Sequence, residues 1–178
     1  MQQSVKVNFI KDEIRNIPDF PTKGIQFKDI TTVIKNPLYF NFIINELADN
    51  YKDRGITKVI GIESRGFITG GALAYKLNAG FIPVRKKGKL PAPTFSTTYT
   101  LEYGEDTLEI HQDALKKDDI VLIHDDLLAT GGTCLAVTKL VQQFHINQIY
   151  LSFIIELDFL KGRERFSPSY EIISLINF

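Results

Sequence analysis

The chain has 178 residues, 44% apolar and 24% charged, which suits one globular domain able to bury a sizeable core. Its 21 Lys and Arg are matched by 21 Asp and Glu. With no net charge there is no global field to hold nucleic acid or an anionic membrane, which argues against both as partners. The one cysteine, Cys134, rules out an internal disulfide and fits a reducing compartment. The amino-terminal stretch carries acids and no long apolar core, so it does not read as a signal peptide, and no apolar run approaches the length of a membrane span. A cytoplasmic location is expected.

In chain order, apolar residues at Val5, Phe9, Ile10, Ile14 and Ile17 predict a helix over 5–17, ended by Pro18 and Pro21. Residues 20–30 read as a loop leading into a short extended piece. Pro37, a favoured first-turn proline, opens a helix to Tyr51. Alternation follows: a strand over 58–62, a small-residue helix over 66–77 and a strand over 81–84. Residues 88–104 hold two prolines, many Thr and Ser, and no sustained period, so they predict a long mobile loop. Strands over 107–111, 120–123 and 148–155 flank a helix over 131–144. Such alternation predicts an α/β fold with a mainly parallel central sheet flanked by helices. Its ligands belong beyond the carboxyl ends of the strands. One domain over 1–178 is expected, with a small hood of residues 1–35 plus the C-terminal part over a core of 36–156.

The segment Ile120-Val-Leu-Ile-His-Asp-Asp-Leu-Leu-Ala-Thr-Gly-Gly-Thr-Cys134 carries the strongest signal. A buried strand runs into Asp125 and Asp126, then a tight turn of Ala129, Thr130, Gly131, Gly132 and Thr133 opens a helix. The glycines let the backbone approach a ligand, the threonines offer hydroxyls, and unpaired amides at the helix start favour an anion. No Gly-Lys-Ser/Thr closes the turn, so it is not a Walker A loop. Two adjacent carboxylates suit vicinal hydroxyls or a metal ion better than phosphate. A sugar phosphate satisfies both halves. A helix cap alone would not require two acids, two glycines and two threonines together.

This segment resembles the phosphoribosyl-pyrophosphate signature of the type I phosphoribosyltransferases, and more narrowly the adenine phosphoribosyltransferases. The similarity extends along the chain through Asp19-Phe-Pro-Thr-Lys-Gly-Ile-Gln-Phe-Lys-Asp-Ile30, Glu63-Ser-Arg-Gly-Phe67, Val84-Arg-Lys-Lys-Gly-Lys-Leu-Pro91, Tyr99-Thr-Leu-Glu-Tyr-Gly104 and Leu160-Lys-Gly-Arg163. The resemblance implies conversion of adenine and phosphoribosyl pyrophosphate to AMP and pyrophosphate, in purine salvage. It implies that Glu63, Ser64 and Arg65 hold pyrophosphate, with a cis peptide at Glu63–Ser64. Arg85, Lys86 and Lys89 would add cations to the same group. The residue matching Arg85 reaches the neighbouring subunit's site in related dimers, so a homodimer is implied. Residues 88–104 become a lid that excludes water from an oxocarbenium-like transition state. Glu102, beside Tyr103, becomes the general acid/base, and Arg65 joins it as a catalytic group.

By the same resemblance Phe27 and Leu157 sandwich the purine, Gln26 lies near its edge, and Lys28 stands where vertebrate forms carry Arg. Mg2+ is expected as a cofactor carried mainly by the substrate pyrophosphate, without an all-protein metal site. His111, His124 and His145 lack metal-like spacing and read as structural. A 6-oxopurine enzyme usually places an acid where this chain has Ala129. A regulator of the same fold that senses phosphoribosyl pyrophosphate would need an added DNA-binding module and a basic surface. A bare sugar-phosphate binder would not need the lid.

Overall fold

The computed structural model describes residues 2–20, 23–101 and 104–178. The elements in order are α1 (Gln2–Glu13), β1 (Arg15–Pro18), β2 (Gln26–Asp29), α2 (Thr31–Ile34), α3 (Pro37–Tyr51), β3 (Lys58–Ile62), α4 (Arg65–Lys76), β4 (Gly80–Lys86), β5 (Thr94–Leu101), β6 (Gly104–His111), β7 (Ile120–Leu128), α5 (Gly132–Gln142), β8 (Gln148–Glu156) and β9 (Glu171–Asn177). Two 3-10 turns, Asp158–Leu160 and Gly162–Arg165, join β8 to β9.

The seven-stranded sheet runs β5-β6-β4-β3-β7-β8-β9, parallel from β4 to β9 and antiparallel at the β5–β6 edge. Alternation along each strand sends side chains to two cores. Val59, Leu122 and Tyr150 face a layer containing α1, α3 and α4. Ile60, Val121, Ile123, Leu151 and Phe153 face α5. After β3 the chain turns to β4 on one side, whereas after β7 it turns to β8 on the other. The carboxyl ends of β3 and β7 are therefore neighbours at a switch point, where such sheets open a crevice.

Four expectations are corrected. The predicted helix over 5–17 stops at Glu13, and Arg15–Pro18 pairs antiparallel with Gln26–Asp29. Pro18 can end that strand because its missing N–H falls at the edge of a two-stranded ribbon. The expected loop over 88–104 is largely a strand: Thr94–Leu101 pairs with Gly104–His111 over its whole length. Its Thr, Phe and Tyr content suits a pleated strand, and Phe95 packs edge-on against Phe144 at 5.2 Å, so the hairpin lies against α5. The strand expected over 120–123 continues through both acids to Leu128. Finally β9 was not foreseen, because its partner β8 lies beyond an irregular turn that carries no periodic signal.

Candidate active site

The site is assembled where β7 passes into α5. Gly131 caps α5 with φ 78° and ψ −3°, a left-handed conformation, and no side chain caps the helix. The first-turn amides of α5 thus receive no side-chain cap. Asp125 and the segment Leu127–Cys134 line a small cleft of about 70 Å³. The polar hydroxyls of Thr130 and Thr133 belong to this lining, and Cys134 is buried behind them. Burial pushes the Cys134 thiol well up, and Asp125's negative charge adds to it, so the sulfur stays protonated and inert.

The adjacent carboxylates on β7 interact with each other but meet different surroundings. Asp126 is buried and accepts a hydrogen bond from Arg65 Nε at the start of α4. Burial alone would lower the Arg65 pKa. The charge and hydrogen bond of Asp126 outweigh it and keep the guanidinium firmly charged. Asp125 is half-buried, and its Oδ1 accepts from the Asp126 amide at 2.9 Å. Burial, reinforced by the charge of Asp126, pushes the Asp125 carboxyl well above the usual range. The chain can come this close because Gly66 has no side chain. A Cβ there would lie 2.9 Å from Asp125 Oδ1 and 3.1 Å from the His124 carbonyl.

The second anion-facing element is the turn after β3. Glu63–Ser64 is a cis peptide. Ser64 is exposed, precedes α4 and makes no capping hydrogen bond with its side chain. Glu63 gathers the cations after β4. It accepts from Arg85 Nε at 3.3 Å, from the Lys86 amide at 3.0 Å and from Lys89 Nζ. Burial would raise the Glu63 pKa, but the bonds from Lys89, Lys86 and Arg85 outweigh it and hold the carboxyl below its usual range. Lys86 Nζ pairs with Asp106 on the β5–β6 hairpin at 2.9 Å. These positive groups therefore stand in one cluster beside the acid pair.

The hood supplies an aromatic wall. Arg65 lies over the Phe27 ring, its Cζ 4.9 Å from the centroid, and Phe20 meets Phe27 edge-on at 5.1 Å. Arg65 thereby touches both the acid pair and the ring expected to stack a base. Gln26 is exposed and accepts from Asn16 Nδ2 at 2.7 Å. Leu157 is buried and belongs to the same core cluster as Ile10, Ile14 and Ile30 of the hood. Lys28 Nζ sits over the Phe178 ring at 4.0 Å, with Lys11 Nζ at 4.5 Å from the same ring, so the last residue of the chain holds Lys28. Glu102 and Tyr103 lie outside the described residues. Among the described residues no group of three or more His, Cys, Asp and Glu is placed to hold a metal. His124 is fully buried between Thr69 and Ser152, at 2.7 Å and 3.1 Å.

Comparison with known proteins adds what geometry alone cannot. Residues 34–171 match the phosphoribosyl transferase domain. An adenine phosphoribosyltransferase from Phocaeicola vulgatus is 53% identical over 167 residues, spanning 94% of this chain and 96% of that protein. This chain belongs to the phosphoribosyltransferase family, on its adenine-specific branch. The crystal structure of the Rhodothermus marinus adenine phosphoribosyltransferase superposes with a TM-score of 0.94 at 47% identity, covering 98% of this chain and 99% of that one. The Giardia lamblia enzyme, crystallised with 9-deazaadenine, has a TM-score of 0.93 at 42% identity, with 97% of each chain covered. The domain match begins at residue 34, so the hood carrying Phe20, Phe27 and Lys28 lies before it.

Reasoning from the sequence missed three groups. Tyr99 on β5 lies near the Thr133 side chain, and burial raises its phenol pKa. Phe178 holds Lys28. Glu156 and Arg163 form a paired unit behind the phosphate turn. Tyr99 and Arg163 fall inside motifs quoted above, but nothing in their spacing shows what they touch.

Proposed function

We infer that this chain joins adenine to phosphoribosyl pyrophosphate, releasing AMP and pyrophosphate, and that the cleft beyond β7 is where it does so. The observation that carries this reading is the direct succession of two carboxylates and an uncapped, glycine-led helix start, with an aromatic hood on the other side of Arg65. The 5′-phosphate takes the amides and hydroxyls of Ala129, Thr130, Gly131, Gly132 and Thr133. The ribose hydroxyls take Asp125 and Asp126. Pyrophosphate takes Ser64, Arg65, Arg85, Lys86 and Lys89, while Glu63 keeps the cations together until the substrate replaces it as their partner. The Giardia relative's 9-deazaadenine, an adenine analogue, supports a purine as ligand, and its place here is between Phe27 and Leu157.

Little covalent chemistry falls to the protein. Cations at the departing pyrophosphate stabilise the charge that grows there, and fixed partners on both halves of the substrate bring the base and the sugar carbon together. Glu102 handles the proton that leaves adenine. Mg2+ fits the donor set as a substrate-borne ion: two carboxylates among many cations offer a few oxygen ligands but, among the described residues, no closed cage. Bound, it would offset pyrophosphate charge, with Asp125 and Asp126 placed to meet its waters. A homodimer in the cytoplasm completes the reading. Among the described residues no helix is long and apolar enough to cross a membrane. Exposed Ile68 and Tyr75 on α4 and Phe81 on β4 supply an apolar face beside Arg85 for a second copy.

The test is direct. The protein is incubated with phosphoribosyl pyrophosphate, magnesium and either adenine, hypoxanthine or guanine. AMP from adenine alone is expected. IMP or GMP at a comparable rate, or no nucleotide at all, sinks the assignment.

A further inference from the structure

Residues 158–165, which follow Leu157, are not used by the chemistry above, yet they press on the phosphate turn. Gly162 and Gly131 meet backbone to backbone. A Cβ built on Gly162 would lie 2.1 Å from the Ala129 carbonyl oxygen and 3.0 Å from the Gly131 amide nitrogen, and one on Gly131 would lie 2.7 Å from the Gly162 carbonyl oxygen. With no side chain between them to absorb a shift, any movement of Gly162 passes directly to Ala129 and Gly131.

Something must therefore hold Gly162. The chain around it is irregular: Lys161 is left-handed at φ 52°, and residues 158–165 form only two short 3-10 turns. The tie is made by the next residue. Arg163 grips Glu156 with both prongs, Nε to Oε1 at 3.0 Å and Nη2 to Oε2 at 2.6 Å, and its Nη1 donates to the Ile172 carbonyl on β9 at 2.8 Å. Ser174 donates to the same carboxylate at 2.6 Å. The Glu156 side chain is only 5% exposed, so its oxygens are spent on this grip and free for nothing else. A forked guanidinium on a buried carboxylate fixes direction as well as distance, which an ammonium would not. A weaker second tie runs from Arg165 Nη1 to the Thr130 carbonyl at 3.4 Å.

We propose that Arg163 is a positioning residue for sugar-phosphate binding, acting through Gly162 and anchored by Glu156. It sets the Ala129–Thr133 amides from behind without touching the ligand. The proposal rests on the reading of that turn as the 5′-phosphate site. Amide donors misplaced by about 1 Å lose much of their grip on an oxyanion, so the loss belongs to the phosphate end of the substrate. The pyrophosphate cluster on β4 and the turn after β3 do not touch this segment and keep their affinity.

Titration calorimetry with ribose 5-phosphate, and separately with pyrophosphate, tests this on Arg163→Met, Arg163→Lys and Gly162→Ala. Arg163→Met is expected to weaken ribose 5-phosphate about tenfold and to leave pyrophosphate at its wild-type value. Arg163→Lys falls between, and Gly162→Ala loses at least as much as Arg163→Met. The double variant Glu156→Leu/Arg163→Met removes the buried carboxylate with its partner and stands in if the single change does not fold. A cooperatively folded variant that binds ribose 5-phosphate as wild type does, or that loses both ligands equally, overturns the proposal. A wild-type protein that binds ribose 5-phosphate but makes no AMP removes the activity assignment alone. One that makes AMP while folded Arg163→Met binds ribose 5-phosphate normally removes this inference alone.

Discussion

His124 gives the protein a calculable weakness to acid. Its ring is fully buried between α4 and β8, with Thr69 on one nitrogen and Ser152 on the other. Burial, opposed only partly by the Ser152 contact, pushes its pKa from 6.5 down to about 4. The unfolded chain takes up a proton near pH 6.5, whereas the folded chain resists until about pH 4. Between those values the unfolded state binds more protons, so stability falls as pH falls. From pH 8 to pH 5 the loss from this one group is about 2 kcal/mol. Asp125 works in the opposite sense, because a raised carboxyl pKa favours the fold at low pH and that contribution is lost as pH rises through it. A variant comparison separates the two. His124→Leu should be less stable at pH 8 by about 1–3 kcal/mol, since the Thr69 and Ser152 hydroxyls lose their shared partner. Its stability should then fall by about 2 kcal/mol less than the wild type's on going to pH 5. Urea unfolding at a series of pH values measures both. Parallel pH profiles for the two proteins would show that His124 does not titrate in this window, and the argument from burial would fail.

Three further outcomes are expected. Arg65→Ala should lower kcat/KM by about 100-fold or more in a steady-state AMP assay, because it removes a pyrophosphate donor and leaves buried Asp126 without its guanidinium; near-normal turnover would take Arg65 out of the mechanism. Glu102→Gln should lower kcat by about 100-fold while KM for phosphoribosyl pyrophosphate holds, and a kcat that is unchanged across pH would remove it as the acid/base. Phe178→Ala removes the ring beneath Lys28 and Lys11, contacts worth about 0.5–1 kcal/mol each at exposed sites, and leaves Lys11 its bond to the Asn177 carbonyl; it should raise KM for adenine rather than for phosphoribosyl pyrophosphate; an unchanged adenine KM would separate the C-terminus from the base pocket.

The strand-to-helix turn after β7 was legible because its conformation is local. A left-handed glycine, a helix start and neighbouring hydroxyls occupy consecutive positions, so Ala129–Thr133 could be recognised before any tertiary contact was known. The same holds for the strand at Ile120 and the helix opened by Pro37, where period and capping agree. The strand at Thr94–Leu101 was hidden by its composition. Four threonines and one serine, just after Pro91 and Pro93, read as loop until a partner, β6, and the covering helix α5 make the pleat favourable. The β1–β2 ribbon was hidden in the same way, since residues 15–18 continue the apparent helical period of α1 and only pairing with β2 turns them into a strand.

The sequence alone determined the α/β class, the glycine-led strand-to-helix turn, the acid pair and the cation run at the end of β4, because each is written in residues next to one another. Tertiary structure decided which of these groups meet. Glu63 reaches across 22 residues to Arg85, and Arg65 across 61 to Asp126. Glu156, Arg163 and Ser174 close behind the turn from three separate elements. Period and propensity report on a residue and its near neighbours, whereas the partner of a charge is set by strand order, and strand order emerges only when the sheet is assembled.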